Sequence, residues 1–406
     1  MKKIKMHSLN HHQHIKYFEG KMSRGFVALF TSKSITDVAG GMFAVFLPIF
    51  LYEIFNNSVA GVATFYLITY LVHFFFISTL SPYLNKFGFR RALRFSTFVA
   101  VLYYISLFFL DENNLYWVLP FAVIFISLWR FLYWTPFNID LSKFTSKKDR
   151  GKSLSLMEAV FNLTKIITPI FAGFIISRFN FSVLFIIGIV VFALSALPLI
   201  MLPRTKETFS WSRRKIFEKT FSKENRSAAA LFFADGAESV VGVIVWPIFI
   251  FQLFKGNYLE VGAISTFVVA VTIVMELIAG KYIDKGKKKD RIMQYGGFFY
   301  AIGWILKIFV ITALHVFVID AFHKFTQVFY RVPLDTFICE KAKDQKHLID
   351  EFNVFRQMTI TLGRIFMGAT ILIFSFFISL NWLFLFGALF SIFLSLAHTR
   401  LKTFLE

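Results

Sequence analysis

The chain has 406 residues, of which 57% are hydrophobic, 19% aromatic and only 17% charged, with a formal net charge of +20. A soluble chain of ordinary composition carries about 25% charged residues, and the apolar runs here mostly exceed the roughly 18 residues a helix needs to cross a hydrocarbon core. A soluble globular domain is therefore excluded, and the basic charge, gathered mostly in short connectors between apolar runs, points to lipid headgroups and orientation rather than nucleic acid.

The first element, residues 1–25, is basic and polar, with no apolar core or cleavage site of a signal peptide. His7, His11, His12 and His14 leave two readings open, a metal-binding tail or a cytosolic tail with scattered histidines; we expect the second, and no metal or cofactor. Cys339 is the single cysteine, so no internal disulfide can form. Twelve spans follow, at 26–55, 60–83, 88–110, 115–141, 153–178, 182–203, 228–254, 259–283, 292–314, 315–339, 352–379 and 380–401. Their connectors alternate between very short and basic. Of the 44 Lys and Arg, 34 lie at the tail, the 2–3, 4–5, 6–7, 8–9 and 10–11 connectors and the C-terminus, whereas only Arg178 and Lys255 lie at the opposite side. That bias predicts a multi-pass protein of the cell membrane with both termini in the cytosol.

The longest connector, Pro203 to Ser227, falls after six spans, and the two sides of it repeat. Pro48 in LPIFLYEIF matches Pro247 in WPIFIFQLF at an offset of 199; Ser81–Asn85 matches Gly280–Asp284 at 199; Gly188 matches Gly387 at 199; Pro136 matches Pro333 at 197. Six helices duplicated in the same orientation predict parallel repeats about an axis along the membrane normal. The expected division is a tail at 1–25, one six-helix bundle at 26–203, a cytosolic linker at 204–227 and a second bundle at 228–402.

GKYIDKGKKKDR, which closes the eighth span, stands where SPYLNKFGFRRALR follows the second. With Gly280, Asp284, Lys285 and Gly286 in one copy and Gly88, Arg90 and Arg91 in the other, these connectors resemble the signature of the major facilitator superfamily. So do the twelve helices, the duplication and the basic 4–5 connector RGKSLS, which begins at Arg150. Ser81 and Asn85 replace the glycine and the acid of the first copy, and the second copy lacks one spacer residue. The resemblance covers essentially the whole chain and implies an all-α, polytopic fold of two six-helix repeats. It further implies that helices 1, 4, 7 and 10 line a central cavity while 3, 6, 9 and 12 stand outside. Asp284 could meet the positive end of a neighbouring helix, near Gly151, and act as a conformational latch; the alternative is an orientation signal with an incidental acid.

Charges within spans are the remaining signal, because each costs about 2.5–3.5 kcal/mol at mid-bilayer on insertion scales. In the tenth span, Asp320, His323, Lys324, Gln327 and Arg331 follow helical spacing and make one polar stripe. Lys33 and Asp37 share a face of the first span, either lining the path or simply neutralising each other. Arg130 sits mid-way along the fourth span with Trp134 one turn on, and Asp37 is its expected partner. Asp235 and Glu238 share a face of the seventh. Glu158, Asn162 and Lys165 in the fifth and Arg356 and Arg364 in the eleventh complete the set, with Arg356 also able to snorkel. The cores of spans 3, 6 and 12 carry no charge, and span 9 carries only Lys307. With four cations (Lys33, Arg130, Lys324, Arg331) facing four acids (Asp37, Asp235, Glu238, Asp320), the charge balance leaves the substrate open.

These observations predict a secondary transporter of a small solute using alternating access, with Asp37 and Glu238 as candidates for proton coupling, acting as a monomer in the lipid bilayer and carrying no catalytic residue. Two other readings are weighed against it. One is a receptor or scaffold with a transporter-like fold, for which the degenerate Ser81/Asn85 copy speaks. The other is an acyltransferase using the His-x4-Asp spacing of His315 and Asp320. A Walker A motif is absent, since Ser146 stands where its first glycine belongs.

Overall fold

The computed structural model describes residues 22–145, 150–205, 209–283, 289–344 and 349–401. Among them the chain is helical from end to end, and the helices begin where short polar side chains satisfy otherwise orphaned backbone donors. Ser23 accepts from the Phe26 N–H (3.1 Å) at the start of α1 (Arg24–Ile54), and Ser58 from Gly61 (3.1 Å) at the start of α2 (Val59–Leu80). A 3-10 turn (Ser81–Tyr83) and a short helix (Leu84–Phe87) lead to α3 (Phe89–Phe108), then α4 (Leu115–Phe144) and α5 (Arg150–Arg178). Asn180 accepts from Val183 (3.1 Å) and opens α6 (Phe181–Ile200).

A short basic helix (Arg213–Thr220) lies in the connector between repeats. Helix α7 runs as Arg226–Val240, a π turn (Val241–Val245) and Trp246–Leu253. Then come α8 (Tyr258–Ile283), α9 (Lys289–Lys307), α10 (Ala313–Asp344), α11 (Ile349–Phe374) and α12 (Phe384–Leu401), the last preceded by a 3-10 turn (Leu380–Leu383). Among the described residues, nine helices are long and apolar enough to cross a membrane. Helix α12 has a shorter apolar stretch, Leu380–Leu396, and α9 and α10 are the other two, α10 carrying the polar stripe. The expected boundary between spans 9 and 10 moves: α9 ends at Lys307 and α10 already starts at Ala313.

The duplication is visible in the packing. Helix α1 packs on α5 and α6, α2 on α4, and α3 on α4 and α6; the same pairings recur with every number raised by six. Even the turns correspond. Asn56 and Asn57 after α1 and Lys255 and Gly256 after α7, again 199 apart, all take positive φ. Asparagine and glycine tolerate that region best, so Lys255 is the exceptional member. Gly188 of α6 leaves room for Phe43 of α1, and Gly387 of α12 leaves room for Trp304 of α9, where an added Cβ would come within 2.7 and 2.8 Å of those rings.

The repeats meet through α2 against α11 and α5 against α8. We call the end where α1 begins the near end and the opposite one the far end. At the far end the repeats are joined by hydrogen bonds from Gln252 to Tyr52 (2.6 Å) and from Tyr258 to Glu53. Helices α5 and α8 touch backbone to backbone there, because a Cβ on Gly173 or Gly262 would lie 2.5 Å from the carbonyl oxygens of Tyr258 or Pro169. At the near end a separate apolar cluster gathers Ile77, Leu84, Phe131, Trp211, Ile216, Phe232 and Met358, so the connector helix seals against both repeats.

Candidate functional site

Among the described residues, three polar groups stand out in the membrane-spanning part. The first straddles the repeats. Lys33 and Asp37, one helical turn apart on α1, form an ion pair, and the Lys33 ammonium stands over the rings of Trp134 (5.6 Å) and Phe161 (4.7 Å). Lys165 of α5 lies over Phe161 at 3.7 Å and within electrostatic reach of Asp37, Glu158, Glu276 of α8 and Lys324 of α10. Three cations and three acids from four helices of both repeats therefore meet here. Glu158 is exposed and Lys33, Asp37, Lys165, Glu276 and Lys324 are only partly buried, so the group is open to solvent or solute.

The second group centres on Tyr70 of α2, which is buried. The guanidinium of Arg130 (α4) lies 5.5 Å from its ring, and that of Arg364 (α11) lies 5.7 Å from it. The two arginines come from opposite repeats. Neither forms an ion pair among the described residues, and one Nη of Arg130 is buried without a hydrogen-bond partner. Beneath them α2 and α4 are stitched by neutral contacts: Ser127 donates to the Thr69 carbonyl (3.0 Å), and the His73 ring nitrogen lies 3.3 Å from the Ser127 carbonyl.

The third group is internal to the second repeat. Glu238 of α7 accepts from the Tyr300 hydroxyl (2.5 Å) and the Trp304 indole (3.1 Å), both of α9, and Gln327 of α10 donates to Tyr300 (2.9 Å). Arg331 pairs with Asp235 at 2.5 Å. Lys307 pairs with Asp320 at 2.7 Å, its ammonium boxed by Trp246 (3.8 Å) and Trp304 (4.6 Å). His323 stacks on Tyr300 with ring centroids 4.3 Å apart.

The polar stripe of α10 thus divides. Asp320 and His323 turn to α9, while Lys324 joins the group between the repeats. Helix 9, expected outside the polar system, supplies Lys307, Tyr300 and Trp304 to it, because a lysine buried between two helices needs a carboxylate. The expected Asp37–Arg130 pair does not form. A lysine one turn away on the same helix reaches Asp37 first, and Arg130 turns to Tyr70 instead. Nor do His315 and Asp320 meet: five residues on a helix place them on different faces, with His315 exposed and Asp320 buried against Lys307.

Of the latch residues, Asp284, Lys285 and Gly286 lie outside the described residues. Gly280 falls in the last turn of α8, Asn85 in the short helix after α2, and Arg150 opens α5. Ser81 is buried and bonds the Ile77 carbonyl of its own helix (2.6 Å). Gly88 takes φ +85°, which lets the chain turn into α3, where Arg90 and Arg91 occupy the first turn. Arg94 was not singled out by spacing, yet it donates to the carbonyls of Leu199 (2.9 Å) and Ile200 (2.6 Å) at the end of α6. Glu276 and Tyr70 were also missed. Glu276 sits four residues ahead of the Gly280 motif without a charged neighbour to mark it, and a lone tyrosine in an aromatic-rich helix gives no signal.

The family model described as Major Facilitator Superfamily matches residues 29–229. Among curated proteins, the uncharacterized protein YqgE of Bacillus subtilis (strain 168) is 25% identical over 244 residues. That alignment covers 57% of this chain and 56% of YqgE, so the chain spans little more than half the length of this relative. Solved structures of similar fold include a POT family transporter in complex with 5-aminolevulinic acid (TM-score 0.70, 12% identity, 94% of this chain and 97% of that one). A bacterial homologue of the iron transporter ferroportin in an inward-facing state is another (TM-score 0.67, 13% identity, 94% and 99%). At such identities the likeness is one of fold. Two six-helix repeats with polar groups gathered at and beside their junction define a multi-pass membrane protein with a transporter fold. The chain belongs to the major facilitator superfamily.

Proposed function

We propose that this protein is a secondary active transporter that moves a small solute across a cell membrane by alternating access, with both termini cytosolic and the near end on the cytosolic side. The observation that carries the reading is the group of six charges drawn from α1, α5, α8 and α10. Charged residues are expensive in a bilayer and persist where they line a water-filled path or meet a ligand. A scaffold would have no use for a partly open cluster at the junction of two repeats. The far-end contacts Tyr52–Gln252 and Glu53–Tyr258 serve, on this reading, as the gate that must part when solute passes that end. The functional halves are residues 26–203 and 228–402, with 204–227 as the linker, and each monomer is a complete unit.

Proton coupling is assigned to Glu238 and Asp37. Each is an acid with a partner that responds to its charge: Tyr300 and Trp304 for Glu238, Lys33 for Asp37. Protonating either weakens those bonds and frees neighbouring groups to move. The latch role of Gly280, Asp284, Lys285 and Gly286, together with Ser81, Asn85, Gly88, Arg90, Arg91 and Arg150, remains part of the proposal. The test is uptake into proteoliposomes of solutes selected by thermal-shift screening. Accumulation driven by a pH gradient should vanish in Glu238→Gln or Asp37→Asn while solute exchange at equal concentrations persists. Uptake that ignores the gradient in the parent protein would remove the proton from the mechanism, and absence of uptake of every stabilising solute would remove transport.

A further inference from the structure

The two arginines at Tyr70 have no place in proton coupling through Glu238 and Asp37, and their environment is incomplete. A guanidinium stays ionised at any working pH. Its placement in the membrane-spanning part costs more than a single contact with an aromatic face recovers. Here two such groups share one ring, and Arg364 lies within electrostatic reach of Arg130, so the second charge adds repulsion to the first. The carboxylate within reach of Arg364 is Asp235, and it is committed elsewhere, holding Arg331 at 2.5 Å. An Arg130 Nη remains buried with nothing to donate to.

Charge balance leads the same way. Lys33, Lys165 and Lys324 are matched by Asp37, Glu158 and Glu276, and Arg331 by Asp235. Lys307 is matched by Asp320 away from the junction. Among the described residues at the junction, Arg130 and Arg364 are left over, two positive charges, one on each repeat.

We infer that Arg130 and Arg364 form the binding site for an anionic group of the transported solute, a carboxylate or a phosphate, clamped between the repeats beside Tyr70. This deepens the transport reading and rests on it for the passage of the solute. A planar guanidinium offers two parallel N–H donors that fit either group. An anion placed between the two cations turns their repulsion into attraction for a common centre. Since α4 belongs to one repeat and α11 to the other, binding draws the repeats together, which is the step that loading must trigger in alternating access. The neutral six-charge group on α1, α5, α8 and α10 then receives the remainder of the solute. Trp134 beside Lys33 supplies an apolar surface there.

The experiment is a thermal-shift titration of the purified protein with inorganic phosphate, acetate and succinate, against choline and glucose as cationic and neutral controls, at constant ionic strength. At least one of the anions should raise the melting temperature in a saturable way. Arg130→Gln and Arg364→Gln should each weaken that response roughly 10- to 100-fold, as expected for a lost hydrogen bond to a charged group. Arg130→Lys should lose less. Without anion, either Gln variant should melt at or above the parent's temperature, because one of two repelling charges is gone; a purely structural arginine would lower it. Response only to choline or glucose, an anion response that survives in the double Gln variant, or a large drop in melting temperature of both anion-free Gln variants would overturn the assignment. Uptake assays separate this from the transport reading. An anion that binds through both arginines but never crosses sinks transport and keeps the site. A neutral or cationic solute that crosses normally in the double variant keeps transport and sinks the site.

Discussion

The two repeats share one plan of packing and use their buried polar groups in opposite ways. In the first, the described bonds between helices end on carbonyls and hydroxyls: Ser32 donates to the Ser195 carbonyl, Ser127 to that of Thr69, Arg94 to those of Leu199 and Ile200, and Thr36 lies near Tyr133. The ion pair Lys33–Asp37 lies within a single helix, and Arg130 has no acid partner among the described residues. In the second repeat, charged groups tie one helix to another: Lys307 to Asp320, Arg331 to Asp235, and Glu238 to Tyr300 and Trp304. An ion pair between helices resists their separation, whereas one confined to a helix can exchange partners without moving any helix. The second repeat is built as a braced body, and the first carries exchangeable charge.

The sharpest way to break this contrast is to remove a brace. Lys307→Ala strands Asp320 in a buried setting, which typically costs about 3–5 kcal/mol. Loss of folded protein in detergent, followed by melting or by size-exclusion yield, should reveal it. The double variant Lys307→Met, Asp320→Leu should recover most of the yield, since an apolar pair of similar volume can replace a buried ion pair. A single variant as stable as the parent would mean that the pair braces nothing.

Glycines give the next comparison. A Cβ on Gly363 of α11 would run into the backbone carbonyl of Phe233 on α7, which cannot move aside without separating the helices. A Cβ on Gly41 of α1 would instead meet the side-chain hydroxyl of Thr168, which can rotate. Gly363→Ala should therefore lower stability by about 1–3 kcal/mol, the usual cost of overpacking, and Gly41→Ala by less. Equal effects would argue that both repeats yield alike.

How far these features could be read from the sequence depends on what periodicity encodes. The helices and their duplication were legible because apolar runs and repeated offsets such as Pro48/Pro247 are properties of one strand of text. Spacing also put Asp320, His323, Lys324 and Arg331 on one helix, but it fixes only angles around that helix. Whether Asp320 turns to α9 and Lys324 to the junction depends on which neighbour stands at each angle, and that is tertiary information. Arg130 and Arg364 were both visible as costly charges, yet nothing in a span says that two of them flank the same tyrosine from opposite repeats. The π turn at Val241–Val245 precedes Pro247, which has no N–H for the Val243 carbonyl, yet the equivalent Pro48 sits in an unbroken α1, so the proline alone does not announce it.

A smaller effect on stability is expected from the first repeat's own ion pair. Lys33 and Asp37 are partly exposed and one turn apart, so Lys33→Met should change stability by less than about 1 kcal/mol. Uptake should nevertheless fall by far more than protein abundance does, since the pair belongs to the solute path in the proposed mechanism. Full uptake in a well-folded Lys33→Met variant would move the path elsewhere.

The central claim is that the repeats part and close around the charged junction, and the far-end contact between Tyr52 and Gln252 tests it most directly. In a Cys339→Ser background, which removes the single native cysteine, Tyr52→Cys and Gln252→Cys can be joined by a short reducible cross-linker, and proteoliposome uptake measured before and after reduction. Cross-linking should stop uptake and reduction should restore it, while labelling of near-end positions continues throughout. Uptake at the full rate with the link in place would contradict movement of the two repeats at that end, and with it transport by alternating access.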